Sequence, residues 1–202
     1  WSHNFEGLES GCCETGTAFV TFTASDECGN MAYTSARFTI SDDIAPTFST
    51  PDDIIIYTDE NCEYNASIEI TGDATSESDN CCSELNATYS DVVEQGQCPG
   101  EIIINRTWSL MDECGNRAPS QLQVITVKDT IAPSIVCNDI TVALNADRSY
   151  TLTEDDKIAL FTIGADNCSS DEDLDINISQ EMFDCSDLGE NAVTITVTDG
   201  CG

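Results

Sequence analysis

The sequence predicts an all-β protein made of tandem, disulfide-bonded, sandwich-sized units, and three observations predict it. Landmark strings recur every 86 to 87 residues along the 202-residue chain. Each unit reads as short runs of alternating or clustered apolar residues broken by Asp, Gly, Asn and Ser. Cysteine occurs 12 times, with no pair at the C-x-x-C spacing of a structural zinc site.

The repeat is the most specific signal. DECGN stands at Asp26 to Asn30 and again at Asp112 to Asn116, an offset of 86, and a weaker copy, DGCG, fills Asp199 to Gly202 a further 87 along. DDIAP, Asp42 to Pro46, returns as DTIAP, Asp129 to Pro133, at an offset of 87. Cys12, Cys98 and Cys185 each precede the motif cysteine Cys28, Cys114 or Cys201 by 16 residues, and the DNC at Asp79 recurs at Asp166. Cutting at the Ala-Pro junctions gives residues 1–46 as the C-terminal part of one repeat, 47–133 as a complete repeat, and 134–202 as the N-terminal and central part of the next, its last strand missing. Neither end piece is expected to close a sandwich alone. The natural chain is therefore expected to continue in both directions, or neighbouring molecules to supply the missing strands. Ala45-Pro46 and Ala132-Pro133 make the linkers short and stiff, because proline fixes its own φ and biases the preceding residue toward extended geometry.

Within the full repeat, DIIIYT, ASIEIT, LNATYS, EIIINRTWSL and LQVITVKD read as strands; in the third unit DITVAL, LDINIS and AVTITVTD do. At Thr153 to Ile163, TEDDKIALFTI, a helical turn after a capping threonine competes with a strand. Trp108, matched in the other units by Phe22 and Ile195, is expected to face a core. Short strands, turn-rich joins and about 87 residues per unit fit an all-β sandwich.

Composition bounds the function. Disulfides persist in oxidising places, so the chain is expected to be extracellular. With 38 acidic residues against 6 basic ones the net charge is -32, which repels phosphate backbones and anionic lipid headgroups and excludes nucleic acid as a partner. Divalent cations or high ionic strength would relieve the self-repulsion. No run approaches the ~20 apolar residues needed to cross a bilayer, so direct membrane insertion is not expected. WSHNFEGLESGCC lacks the layout of a signal peptide, and any targeting sequence or anchor is expected outside these residues. Catalysis has little support: there is no phosphate-cradling glycine loop and no nucleophile elbow, and His3 is the only imidazole. The chain is read as a non-enzyme.

The strings DDIIIYTDENC, SDNCC, NRTWSLMDECGN and ITVKDTIAP of the full repeat, with CNDITVAL, GADNC and MFDCSDLGENAVTITVTDGCG of the third, resemble the hyalin-repeat (HYR-like) modules. These are immunoglobulin-like units arrayed in giant surface proteins of Bacteroidetes and in some eukaryotic extracellular matrices. The resemblance spans nearly the whole chain and departs from the family at the vicinal pairs Cys12-Cys13 and Cys81-Cys82. It implies tandem immunoglobulin-like β-sandwiches forming a structural or adhesive stalk or filament at the cell surface. Partners are then neighbouring repeats or other copies in a filament. The alternative is a module that binds surface carbohydrate or protein, and an enzyme accessory domain is more remote.

On an immunoglobulin-like frame DNC and DECGN fall in loops at one end of each unit. A bridge from Cys81 or Cys82 to Cys114, and from Cys168 to Cys201, follows as reasonable, with Cys62 and Cys98 paired toward the other end. Cys98 and Cys114 flank one long strand, roughly 30 Å at ~3.3 Å per residue, too far for direct pairing. Cys137 and Cys185 pair together or with residues beyond 1–202; the partners of Cys12, Cys13 and Cys28 stay open. DECGN by itself is turn chemistry. A sharper reading adds calcium, held by Asp26, Asp42, Asp43, Asp79, Asp112, Asp129, Asp166 and Asp199, because clustered hard oxygen ligands suit Ca²⁺. Five N-x-S/T sequons, at Asn65, Asn86, Asn105, Asn167 and Asn177, are glycan acceptors in a eukaryotic secreted protein, Asn105 only if it faces outward.

Overall fold

The computed structural model describes residues 1–7, 9–13 and 15–201. In chain order its strands are β1 (Ser2–His3), β2 (Glu9–Ser10), β3 (Gly16–Ser25), β4 (Met31–Ile40), β5 (Thr47–Ser49), β6 (Ile54–Tyr57), β7 (Thr75–Ser78), β8 (Thr88–Gln95), β9 (Ile102–Ser109), β10 (Gln121–Lys128), β11 (Ile135–Cys137), β12 (Ser149–Thr151), β13 (Phe161–Ile163), β14 (Asp175–Ile178), β15 (Met182–Asp184) and β16 (Ile195–Thr198). Two short helices, α1 (Ile68–Thr71) and α2 (Glu154–Leu160), interrupt them. The protein is mostly β, in several sheets, as the alternating runs predict. It divides into two compact units, Trp1–Asp52 with Thr71–Val92 and Asn105–Val124, and Asp53–Ile70 with Val93–Ile104 and Ile125–Gly202.

In the first unit β3 and β4 form a hairpin paired from Gly16↔Ile40 to Ser25↔Met31, while β1 and β2 pair with β3. β5 pairs antiparallel with β7. Residues of β9 alternate inward and outward, as a period of two requires. Arg106 and Trp108 point in, 1% and 0% exposed, and Trp108 is the core residue its position predicts. Its indole Nε1 donates to Gln123 Oε1 at 3.3 Å, and its ring packs against Tyr89 at 5.1 Å. Asn105 lies on the other face of the strand and is half-buried.

In the second unit β6 runs parallel to β10, from Ile54↔Ile125 to Tyr57↔Lys128. Ile56, Ile104, Ile125 and Val127 make its core, with Ile54, Tyr64, Ala66 and Ile102 packed against it. The two-stranded pairs β11–β13, β12–β15 and β14–β16 follow, all antiparallel. Helix α2 settles the competition at Thr153. The Thr153 side chain accepts from the Asp156 amide, and the Asp156 carboxylate accepts from the Thr153 amide, a reciprocal capping box.

Two expected strands are corrected. ASIEIT forms helix α1: Asn65 Oδ1 accepts from the Ser67 amide at 3.0 Å and the Ser67 carbonyl from the Ile70 amide at 3.0 Å, so a local turn takes the bonds a ladder would need. Gly72, at φ 91°, ends it. DITVAL, residues 139–144, is not a strand, because β11 just before it takes the β13 partner. Ile140, Val142 and Leu144 still alternate half-buried with exposed Thr141 and Ala143. The pattern recorded which way side chains point, not whether a neighbouring strand was available.

Candidate functional site

Each D-x-CGN turn is built by its own aspartate. In the β3–β4 hairpin the Asp26 amide donates to the Asn30 carbonyl at 3.1 Å, Asp26 Oδ1 accepts from the Cys28 and Asn30 amides, and Oδ2 accepts from Asn30 Nδ2 at 2.7 Å. The copy at Asp112 repeats the closure: Asp112 amide to Asn116 carbonyl at 3.1 Å, and both Asn116 donors on the Asp112 carboxylate at 2.8 Å. Gly29 and Gly115 take φ of 86° and 92°, which glycine allows at no steric cost. The Asn30 side chain, foremost among these donors, holds the Asp26 carboxyl below its ordinary value.

The other two repeated aspartates fold their loops in the same way but use only one oxygen. Asp42 Oδ1 accepts from the Ile44 amide at 3.1 Å, and Asp129 Oδ1 from the Ile131 amide at 3.0 Å. Asp79 Oδ2 accepts from the Cys81 and Cys82 amides at 2.8 and 3.0 Å, and Asp166 Oδ1 from the Cys168 and Ser169 amides at 3.0 and 2.6 Å. The Cys81 amide, then the Cys82 amide, hold the Asp79 carboxyl below its ordinary value. In all four residues the second oxygen is buried and meets no hydrogen-bond donor: Asp42 Oδ2, Asp79 Oδ1, Asp129 Oδ2 and Asp166 Oδ2.

The carboxylates converge. In the first unit Asp42, Asp79 and Asp112 bring ligand atoms within 4.8 Å of one another; in the second, Asp129, Asp166 and Asp199 do the same. The two trios are copies, each member displaced by 87 residues. Asp112 is 3% and Asp129 7% exposed, so these two carboxylates are taken from water, and among the described residues neither is in a salt bridge. Oxygens on opposite sides of a Ca²⁺ ion at ~2.4 Å stand about 4.8 Å apart, so the span of each trio suits a hard cation. Among the described residues Asp26 and Asp43, expected in the same set, join neither group. Asp26 is the repeat equivalent of Asp112 and Asp199.

The first trio also approaches Cys82, and Cys13, Cys82 and Cys114 lie close together. Their sulfurs are oxidised and offer no thiolate to a metal. The bridges are Cys12–Cys114, Cys13–Cys82, Cys62–Cys168 and Cys98–Cys201, with Cα separations of 5.2, 4.8, 5.1 and 5.4 Å. This corrects the expected pairings of Cys82 or Cys81 with Cys114, Cys168 with Cys201, and Cys62 with Cys98. Those assumed closure inside one repeat, whereas every observed bridge crosses an Ala-Pro junction, two crossing Ala45-Pro46 and two crossing Ala132-Pro133. Cys28, Cys137 and Cys185 are exposed thiols, so Cys137 and Cys185 do not pair with each other. Cys81 is half-buried, with Asn80 Nδ2 2.9 Å from its sulfur. Four disulfides point to an oxidising, extracellular environment. No helix among the described residues is long and apolar enough to cross a membrane.

The sequons differ. Asn65, Asn86 and Asn177 are exposed. The Asn167 amide nitrogen is engaged beside the second trio, donating to the Asp59 carbonyl at 3.0 Å and to Asp129 Oδ1 at 3.2 Å. Sequence reading put Asn167 among glycan acceptors and missed this role, although its place inside the recurring DNC string was the available signal. No family model matches the sequence, and no curated protein matches it significantly.

Proposed function

We propose that the chain is a segment of an extracellular, cell-surface array of tandem immunoglobulin-like sandwiches of the hyalin-repeat kind, structural or adhesive in role, with calcium bound where one repeat gives way to the next. The observation that carries this reading is that all four disulfides cross a junction. A disulfide that closes a loop inside one sequence repeat stabilises that repeat alone. Two bridges across each junction add covalent paths beside the backbone, so a joint cannot peel apart under load without breaking S–S bonds. A protein built to bear tension needs that; a catalytic domain does not.

The aspartate trios support the calcium part. Each gathers the junction aspartate of one repeat with two aspartates of the next. An ion there would neutralise the buried carboxylates and stiffen the linker in a chain whose net charge of -32 otherwise drives its parts away from each other.

A second reading, a module that binds another polypeptide, has one observation in its favour. His3, Phe5, Val20, Phe22, Phe38 and Ile40 line a groove in the first unit. Its apolar lining suits an apolar strand better than a sugar. Electron microscopy of the native material decides between the two: a fibre with a regular axial repeat is expected, and isolated compact particles would remove the array reading.

A further inference from the structure

The two aspartate trios are copies, but the side chain beside each differs. In the first unit Cys82 joins Asp42, Asp79 and Asp112, its sulfur within 4.8 Å of their carboxylate oxygens. Ser169 stands 87 residues on, beside Asp129, Asp166 and Asp199. The backbone is matched at the two positions: the Cys82 amide donates to the Asp79 carboxylate at 3.0 Å, and the Ser169 amide to the Asp166 carboxylate at 2.6 Å. The neighbouring asparagine is matched as well. Asn80 Nδ2 donates to Asp42 Oδ1 at 3.3 Å and Asn167 Nδ2 to Asp129 Oδ1 at 3.2 Å, and in both junction aspartates Oδ2 meets no donor. The Ser169 side chain therefore starts from the position from which Cys82 reaches its trio.

The two side chains offer different chemistry there. Cys82 Sγ is bonded to Cys13, and an uncharged, soft disulfide sulfur is a poor partner for a hard cation. The second unit has no counterpart of that bridge, because Pro99 stands 86 residues after Cys13, at the offset that relates Cys98 to Cys12. Ser169 is 8% exposed, and its hydroxyl oxygen is buried without a hydrogen-bond partner. A hydroxyl taken from water and left unbonded costs free energy. A cation held by the adjoining carboxylates would meet its lone pairs and recover that cost, and a hydroxyl oxygen is a hard ligand of the kind calcium takes.

We infer that Ser169 is a fourth protein ligand for calcium in the second trio, and that the two sites are unequal, the Asp129, Asp166, Asp199 site holding the ion more tightly than the Asp42, Asp79, Asp112 site. As calcium rises, the Ala132-Pro133 junction is occupied before the Ala45-Pro46 junction. The inference rests on the calcium reading and adds to it a ligand and an order of filling.

Calorimetric titration of the full chain with calcium, its four bridges formed, reads each site alone in a variant that lacks the other. Asp79→Asn leaves the second site and Asp166→Asn the first. The Asp79→Asn chain should bind about tenfold more tightly than the Asp166→Asn chain, the lower end of what a group supporting a metal site contributes. Adding Ser169→Ala to Asp79→Asn should weaken the remaining site by about tenfold, and adding Ser170→Ala, one residue on, should leave it unchanged. Without calcium, Ser169→Ala should melt no lower than its parent, since the hydroxyl it removes has no partner to lose. Equal affinities in the two single-site variants, unchanged binding in Ser169→Ala, or a lower melting temperature of Ser169→Ala without calcium would overturn this inference and leave the calcium reading standing. No heat above background in the unsubstituted chain would remove both.

Discussion

Arg106 donates from Nε and Nη2 to the two carboxylate oxygens of Asp91, each at 2.8 Å, a bidentate pair with the arginine almost wholly buried. The guanidinium carbon lies 4.1 Å from the centre of the Tyr89 ring, and Nη1 donates to Thr71 Oγ1 at 2.7 Å. One of only 6 basic residues in the chain is thus committed to a core.

Removing Asp91 leaves that cation buried and uncompensated. Asp91→Ala should cost about 3 kcal/mol or more, whereas Arg106→Met, which removes the charge and keeps apolar bulk, should cost less. Chemical denaturation of both variants with the disulfides intact gives the comparison, and equal losses would show that the ion pair matters only as packing.

Two calcium ions should bind, one to each aspartate trio. Asp79→Asn and Asp166→Asn should each lower the calorimetric stoichiometry from two to one. Without calcium the same substitutions should raise the melting temperature, because they remove repulsion between carboxylates. With calcium they should lower it, because the native state loses a ligand that stabilises it by mass action. No heat above background in the unsubstituted chain would discard the sites.

The Cys12–Cys114 bridge spans 102 residues, so its loss restores much freedom to the unfolded chain. The double substitution Cys12→Ser with Cys114→Ser should cost ~4 kcal/mol on the chain-entropy account, and Cys28→Ser in the monomer close to nothing. Guanidinium unfolding read by Trp108 fluorescence measures both, and similar midpoints for the two variants would contradict the assignment.

Asp156 is held below its ordinary value, near 3.8, first by the Thr153 side chain and then by the Tyr150 hydroxyl, which donates to it at 2.6 Å. A carboxyl whose folded value lies below its unfolded one contributes stability that is present above the unfolded value. That contribution is lost as pH falls through the folded value. Helix α2 should therefore stay capped at neutral pH and fray only below about pH 3.8. Amide exchange across 154–160 as a function of pH checks this, and Asp156→Asn should flatten the dependence.

Expressed in a glycosylating host, the chain should carry glycans at the exposed Asn65, Asn86 or Asn177 and none at Asn167, whose nitrogen is bound to Asp59 and Asp129. Site-by-site mass spectrometry reads this, and a fully occupied Asn167 would mean that the bonds around the second trio form otherwise.

Sequence alone determined what depends on local chemistry and on repetition. The β class followed from alternation in runs such as Ile102 to Ser109, and the DECGN turns from residues that satisfy their own backbone. The repeated aspartates were legible as one set of eight, from Asp26 to Asp199, because turn, DNC and junction strings recur about every 87 residues; which of them converge, Asp42 with Asp79 and Asp112, and Asp129 with Asp166 and Asp199, was decided by the fold. The tertiary structure decided what depends on which partner is within reach. Ile68 to Thr71 coiled because Asn65 and Ser67 offered nearer bonds than a strand, and 139–144 stayed outside any ladder because β11 had taken β13. Cysteine connectivity belongs to the same class: any two thiols can join, and only the folded path brings Cys12 to Cys114 across a junction instead of closing a single repeat.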